Sequence, residues 1–221
     1  QQVIGAVVRA VAGRVPVIIN TGATGTDLAC HYARMAAQAG ADALMIMPPT
    51  FFPVGSEEVL HYYSAIAAAV DLPLILQDIP QAPISPGLAL RIADACPNVV
   101  AIKVETLPVT QKVVDMVAAV AGRLTVIGGA GGGYFIEEMR RGARGTMPFC
   151  SQPAEFVEVW NRFQSGDEAG ARTAQLRAIE LTLVFTLPAV AAFVAFLAGS
   201  YSNVVGLPLF ETVALLEASA P

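Results

Sequence analysis

Two lysines occur in the chain, and the residues around one of them are spaced for carbonyl chemistry. Lys103 ends the apolar run Asn98-Val99-Val100-Ala101-Ile102-Lys103. An amine at the end of a buried strand loses solvation, which lowers its pKa toward the range where the free base attacks a carbonyl carbon. Glu105 follows two residues later, so strand alternation points both side chains to one face if the strand reaches that far. A carboxylate there either shuttles protons to a carbinolamine or holds the lysine in a structural ion pair. Gln77 and Asp78 follow the apolar Leu74-Ile75-Leu76, and one of the two must face inward. Asp78 suits capping of the next turn as well as it suits a base. The other lysine, Lys112, falls on a helix expected to be exposed.

The stretch Gly128-Gly129-Ala130-Gly131-Gly132-Gly133 lies between a strand and a helix, where free N–H groups can cradle a carboxylate or phosphate. Close backbone packing is its other use. No Gly-Lys-Ser/Thr follows, and Tyr134 occupies the third glycine position of G-x-G-x-x-G, so neither nucleotide-binding pattern is completed. Asn20-Thr21-Gly22-Ala23-Thr24-Gly25-Thr26 reads as a similar turn that starts a helix. His31 and His61 are the only histidines and lack metal-ligand spacing, so no metal and no cofactor is expected. Cys30, Cys96 and Cys150 are odd in number and set in apolar surroundings, the pattern of reduced thiols in a cytoplasmic protein.

Positioning these residues is the task of a repeating unit. Short apolar runs alternate with amphipathic stretches: Val15–Asn20 then Asp27–Ala39, Ala43–Met47 then Glu57–Val70, and Leu74–Gln77 then Pro86–Ala95. Val99–Val104 precedes Val109–Val120, Thr125–Gly128 precedes Tyr134–Arg141, and Gly145–Phe149 completes six predicted strands. Apolar strands alternating with helices require a parallel sheet, either open and doubly wound or closed as a (β/α)8 barrel. Polar residues and prolines cluster after the strands, which suits chemistry at their C-terminal ends in either fold. Helices alone are predicted beyond Phe149, over Pro153–Gln164, Asp167–Leu187 and Ala189–Gly199. The expected division is residues 1–150 as a partial barrel and 151–221 as a C-terminal helical region.

Hydrophobic residues make up 55% of the 221 and charged residues 14%, which excludes disorder. A net charge of −5 without a basic run argues against nucleic acid and anionic membrane surfaces as partners. Leu181 to Phe210 carries no charge, but Pro188 interrupts it and Glu180 and Glu211 flank it, so a buried helix pair is expected rather than a membrane span. The chain opens within a helical pattern, Val3, Ile4, Val7, Val8 and Val11, which reads as an N-terminally incomplete chain.

Taken together, Val15–Gly22, Gly40-Ala41-Asp42-Ala43, Pro48-Pro49, Leu72–Leu76, Asn98–Lys103 and Arg141–Gly145 resemble, in order, the dihydrodipicolinate synthase and N-acetylneuraminate lyase family of class I aldolases. The resemblance implies a (β/α)8 TIM barrel with a C-terminal helical bundle, homo-oligomeric assembly, and a 2-oxo acid such as pyruvate bound as an imine to Lys103. It also implies that the first two βα units are missing, with the loop that binds the oxo acid's carboxylate. Gln77 then stands where the family has a catalytic tyrosine, Phe51 at the relay tyrosine and Ala82 near the substrate-binding arginine. Glu105 is displaced from the family's Lys-Glu adjacency by Val104.

On this reading the protein is a Schiff-base lyase for pyruvate, another 2-oxo acid or a keto-deoxy sugar acid. Lys103, Glu105 and Gln77 are the expected catalytic residues; Asp78, Phe51, Gly128 and Gly129 are expected to bind substrate. The alternatives are a degenerate family member serving as small-acid binder or scaffold, and a membrane-associated subunit.

Overall fold

The computed structural model describes residues 1–148 and 152–186. After helix α1 (Gln2–Val11), strands β1 (Ile18–Asn20), β2 (Ala43–Ile46), β3 (Leu74–Asp78), β4 (Val99–Val104) and β5 (Thr125–Gly128) are each followed by a helix. These are α2 (Thr26–Gln38), α3 (Ser56–Ala69), α4 (Pro86–Ala95), α5 (Val109–Val120) and α6 (Phe135–Arg140). The α4 start follows local chemistry: Pro86 sits in the first turn, and Ser85 caps it by accepting from the Leu88 N–H at 3.2 Å.

Tertiary order settles which closure the periodicity left open. The five strands are parallel and lie in the sequence β1-β2-β3-β4-β5, with no reversal at a switch point as a doubly wound sheet requires. Leu44, Ile46, Leu74, Leu76, Ile102, Val104 and Val126 alternate onto one face, where they form a single core with the buried sides of α1 to α5. The opposite face carries Asn20, Met45, Ile75, Gln77, Ala101, Lys103 and Ile127, paired laterally across the strands. Helices on one face and a lateral row of side chains on the other define an arc of a (β/α) barrel.

The expected sixth strand, Gly145–Phe149, is described only as far as residue 148. Among the described residues it contributes one parallel bridge, Thr146 to Gly128, held by Gly128 N–H to the Gly145 carbonyl and Met147 N–H to the Gly128 carbonyl. Beside this bridge, the Ala130 N–H donates to Glu105 and its carbonyl accepts from the Gly133 N–H. Phe149 lies outside the described residues, as do Cys150, the Ala189–Gly199 helix and most of the Leu181–Phe210 stretch. No helix among the described residues is long and apolar enough to cross a membrane.

Helices α7 (Pro153–Gln164) and α8 (Glu168–Thr186) pack on each other and on α6. Asp167 caps α8 by accepting from the Gly170 N–H at 2.9 Å. Their core draws residues from both sides of position 150: Phe135, Ile136 and Met139 from α6 meet Phe156, Val159, Ala171, Ala174 and Ala178.

Asn98 joins two layers of the main unit. Its Nδ2 reaches the carbonyls of Ala67, Val70 and Leu72 at 3.0 to 3.3 Å, collecting groups that the end of α3 leaves unpaired. Asn98→Ala strips those part-buried carbonyls of their donor and is expected to cost about 1–3 kcal/mol, read from urea unfolding.

Candidate active site

Side chains from three strands and from the turn after β4 meet at the C-terminal end of the sheet. Parallel register sets Gln77 on β3 beside Lys103 on β4, with Ile127 of β5 on the other side. Lys103 Nζ lies 3.0 Å from Glu105 Oε1, and Gln77 Nε2 donates to Glu105 Oε2 at 3.0 Å. Asn20 on β1 donates to Gln77 Oε1 at 3.1 Å and accepts from the Gly22 N–H at 3.0 Å.

That last bond sets the polarity of the whole chain of contacts. A backbone N–H can only donate, so Asn20 turns its oxygen to Gly22 and its amide nitrogen to Gln77. Gln77 must then give its oxygen to Asn20 and its N–H to Glu105. The Lys103 side chain is 10% exposed and that of Glu105 20%, so the ion pair is largely shielded from water. The expected ion pair and the expected catalytic pair are thus one arrangement, on the inner face of the barrel arc.

Gly129 makes room for this pair. A Cβ at position 129 would stand 2.5 Å from Glu105 Cγ and 2.6 Å from Lys103 Cε, closer than carbon atoms approach. The neighbouring Ala130 N–H donates to Glu105 Oε1 at 3.3 Å, so the glycine-rich loop cradles the chain's own carboxylate.

The other expected site residues are placed elsewhere. Asp78 alternates to the helix-facing side, fully buried, and is not in the cleft beside Lys103. Lys112 is not the exposed residue expected: its side chain is 14% exposed, and its Nζ sits 2.6 Å from Asp78 Oδ1. Phe51 stands 72% exposed on the loop after β2, edge-on to Phe52, apart from the contacts around Lys103. Gly128 also faces the helices, where the carboxylate of Glu138 on α6 fills the space a side chain would take. A cavity of about 490 Å³ lined by Phe135, Thr146, Phe156 and Trp160 includes none of the Lys103 cluster.

Two members of this region were not singled out from the sequence. Asn20 reads there only as part of a turn, and its pairing with Gln77 spans 57 residues. Glu138 is fully buried, with neither carboxylate oxygen hydrogen-bonded among the described residues. The helical period gave no signal for it: at about 100° per residue, position 138 falls roughly 60° outside the arc spanned by Phe135, Met139 and Ile136.

Burial pushes the Glu138 carboxyl up to about 7 from 4.5, with smaller contributions from Glu137 and Glu105. The folded state therefore holds a proton that the unfolded chain releases first. The contribution of this group to stability is full below pH 4.5 and is lost as pH rises through 4.5 to 7, by about 3 kcal/mol. Glu138→Gln is expected to abolish that decline; urea midpoints at pH 5 and pH 8 that fall as steeply in the variant would refute the assignment.

An arc of sequential parallel strands with helices on its outer face, bearing a shielded lysine–carboxylate pair at the C-terminal strand ends, defines a protein of the (β/α)-barrel class. The sequence model of the dihydrodipicolinate synthetase family matches residues 1–196, and the chain belongs to that family. Members of the family are class I lyases acting through a lysine Schiff base. The chain is 37% identical over 215 residues to 4-hydroxy-tetrahydrodipicolinate synthase of Sorangium cellulosum, covering 94% of this chain and 71% of that protein. It is 29% identical over 168 residues to the synthase of Lachnoclostridium phytofermentans, covering 74% and 56%. The chloride-inhibited dihydrodipicolinate synthase of Acinetobacter baumannii, solved with pyruvate, matches with a TM-score of 0.79 at 26% identity, over 98% of this chain and 80% of that one. The synthase structure from Aquifex aeolicus matches the fold with a TM-score of 0.81 at 23% identity, over 98% and 78%.

Proposed function

We propose that the protein is a Schiff-base-forming aldolase or dehydratase acting on pyruvate, another 2-oxo acid or a keto-deoxy sugar acid. The observation that carries this reading is Lys103 Nζ held 3.0 Å from Glu105 on the inner face of the barrel arc. Glu105 takes a proton from the ammonium, and the freed amine adds to the C2 carbonyl while a proton passes from its nitrogen to the carbonyl oxygen, giving a carbinolamine. Glu105 returns a proton when that hydroxyl leaves as water, and the iminium then draws electrons from C3. Loss of a C3 proton to Glu105, a carboxylate again after the water has left, gives an enamine that can attack an aldehyde; the reverse course cleaves the C3–C4 bond. Gln77 holds Glu105 in place by its N–H.

Pyruvate is the first substrate to test because it occupies the Acinetobacter baumannii neighbour. Gln77 in place of the tyrosine that the family pattern leads one to expect supports a substrate other than that of the synthases. A catalytically degenerate scaffold gains nothing from holding Lys103 in a shielded, oriented network, so that alternative is not favoured. The same reading makes the protein a cytoplasmic homo-oligomer, in keeping with free, buried Cys30 and Cys96 and with apolar Phe51 and Phe52 exposed at the strand ends.

The test is borohydride reduction of the protein with pyruvate and a panel of 2-oxo sugar acids, followed by peptide mapping. An adduct on Lys103 is expected. A folded protein that yields no adduct with any oxo acid would remove this reading in favour of the scaffold.

A further inference from the structure

Gln77 and Asp78 are consecutive, and alternation sends them to opposite faces of β3, yet both grip Glu105. Gln77 holds its carboxylate. Asp78 holds its main chain: the Glu105 N–H lies 3.1 Å from the Asp78 carbonyl and 3.4 Å from its Oδ2. Asp78 Oδ2 also accepts from the Thr106 N–H at 3.1 Å, and Oδ1 from the Thr106 hydroxyl at 2.9 Å. The same Oδ1 takes the Ile84 N–H at 2.8 Å and Lys112 Nζ at 2.6 Å. One fully buried carboxylate thus ties the loop before α4, the turn after β4 and the first turns of α5 into one unit.

Lys112 is placed against local preference. It is the fourth residue of α5, near the positive end of the helix dipole, where a cation is unfavourable and the first turn has no acidic residue to offset it. A buried carboxylate needs a countercharge, and Lys112 supplies the only ion pair made to Asp78 among the described residues.

We propose that Asp78, neutralised by Lys112, is a positioning residue for Glu105, fixing the turn that aims the Glu105 carboxylate at Lys103. This rests on the reading of Glu105 as the proton-transfer group. It assigns work to a pair that touches no substrate, lying behind the sheet from the site. An isolated staple of the fold would show itself in stability alone; a positioning pair governs proton transfer.

The experiment compares wild type with Asp78→Asn, Lys112→Met and Lys112→Arg in three measurements. These are thermal unfolding, the borohydride-trapped pyruvate adduct on Lys103, and the rate at which imine-bound pyruvate exchanges its methyl protons for deuterium. Asp78→Asn and Lys112→Met are expected to retain trapping at saturating pyruvate while exchange falls on the order of tenfold to a hundredfold, the scale of an ångström's misplacement. Lys112→Arg, which keeps the charge, is expected to restore most of the exchange. Should Asp78→Asn fail to fold, Thr106→Val removes only the hydroxyl bond to Asp78 and carries the same comparison. Lowered melting temperatures with wild-type exchange in every variant would reduce the pair to a staple and overturn the proposal. Absence of any Lys103 adduct in wild type would instead overturn the underlying imine reading, an outcome separable because it precedes the variants.

Discussion

Lys103→Met is expected to eliminate the borohydride-trapped pyruvate adduct and to slow methyl-proton exchange by on the order of 10⁴-fold or more, the scale of losing a covalent nucleophile. Methionine approximates the length of the lysine stem and carries no amine, so it fills the same inner-face position without a group able to form a C–N bond. Glu105 keeps its bonds to Gln77 and Ala130, so it is not left as a bare charge. The variant should therefore fold, and its urea midpoint checks that it does. Lys112 offers an internal control, because it is the one other lysine and its Nζ is occupied by Asp78 behind the sheet. An adduct that survives in Lys103→Met and maps to Lys112 would sink the assignment.

Gly129→Ala is expected to cripple the same chemistry while leaving every functional side chain in the sequence. The new methyl would stand 2.5 Å from Glu105 Cγ and 2.6 Å from Lys103 Cε, so the two chains that form the 3.0 Å ion pair must part or rotate away. A displacement near an ångström at reacting groups costs on the order of 10²-fold. Trapping and exchange should both fall by about that factor, unlike the Asp78 and Lys112 variants, in which trapping persists. Unchanged exchange in Gly129→Ala would mean that the loop yields freely and that the lysine's position is set elsewhere.

The helices were the most legible part of the sequence because their apolar faces repeat locally. Pro86–Ala95, Val109–Val120 and Pro153–Gln164 stand where the 3.6-residue period and their flanking residues predict them. The apolar run Gly145–Phe149 states by itself only that a segment is burial-prone. Its bridge to the sheet, Thr146 beside Gly128, depends on which strand arrives alongside. Lys103 and Glu105 were legible as a pair because alternation is a property of one strand. Asn20 was not, since its partner lies two strands away.

Alternation required that one of Gln77 and Asp78 face inward, without deciding which. Register with Lys103 decided it, and Asp78 went to the helix side together with Lys112. The sequence by itself therefore determined the parallel α/β class and the rare lysine at a strand end, because both follow from periodicity and composition within a single segment. Tertiary structure alone decided the sequential strand order, the inward aim of Lys103, the polarity of its hydrogen-bond chain and the burial of Glu138. Each of those depends on which distant strand or helix arrives alongside, and lateral pairing brings together groups whose separation along the chain carries no local signal.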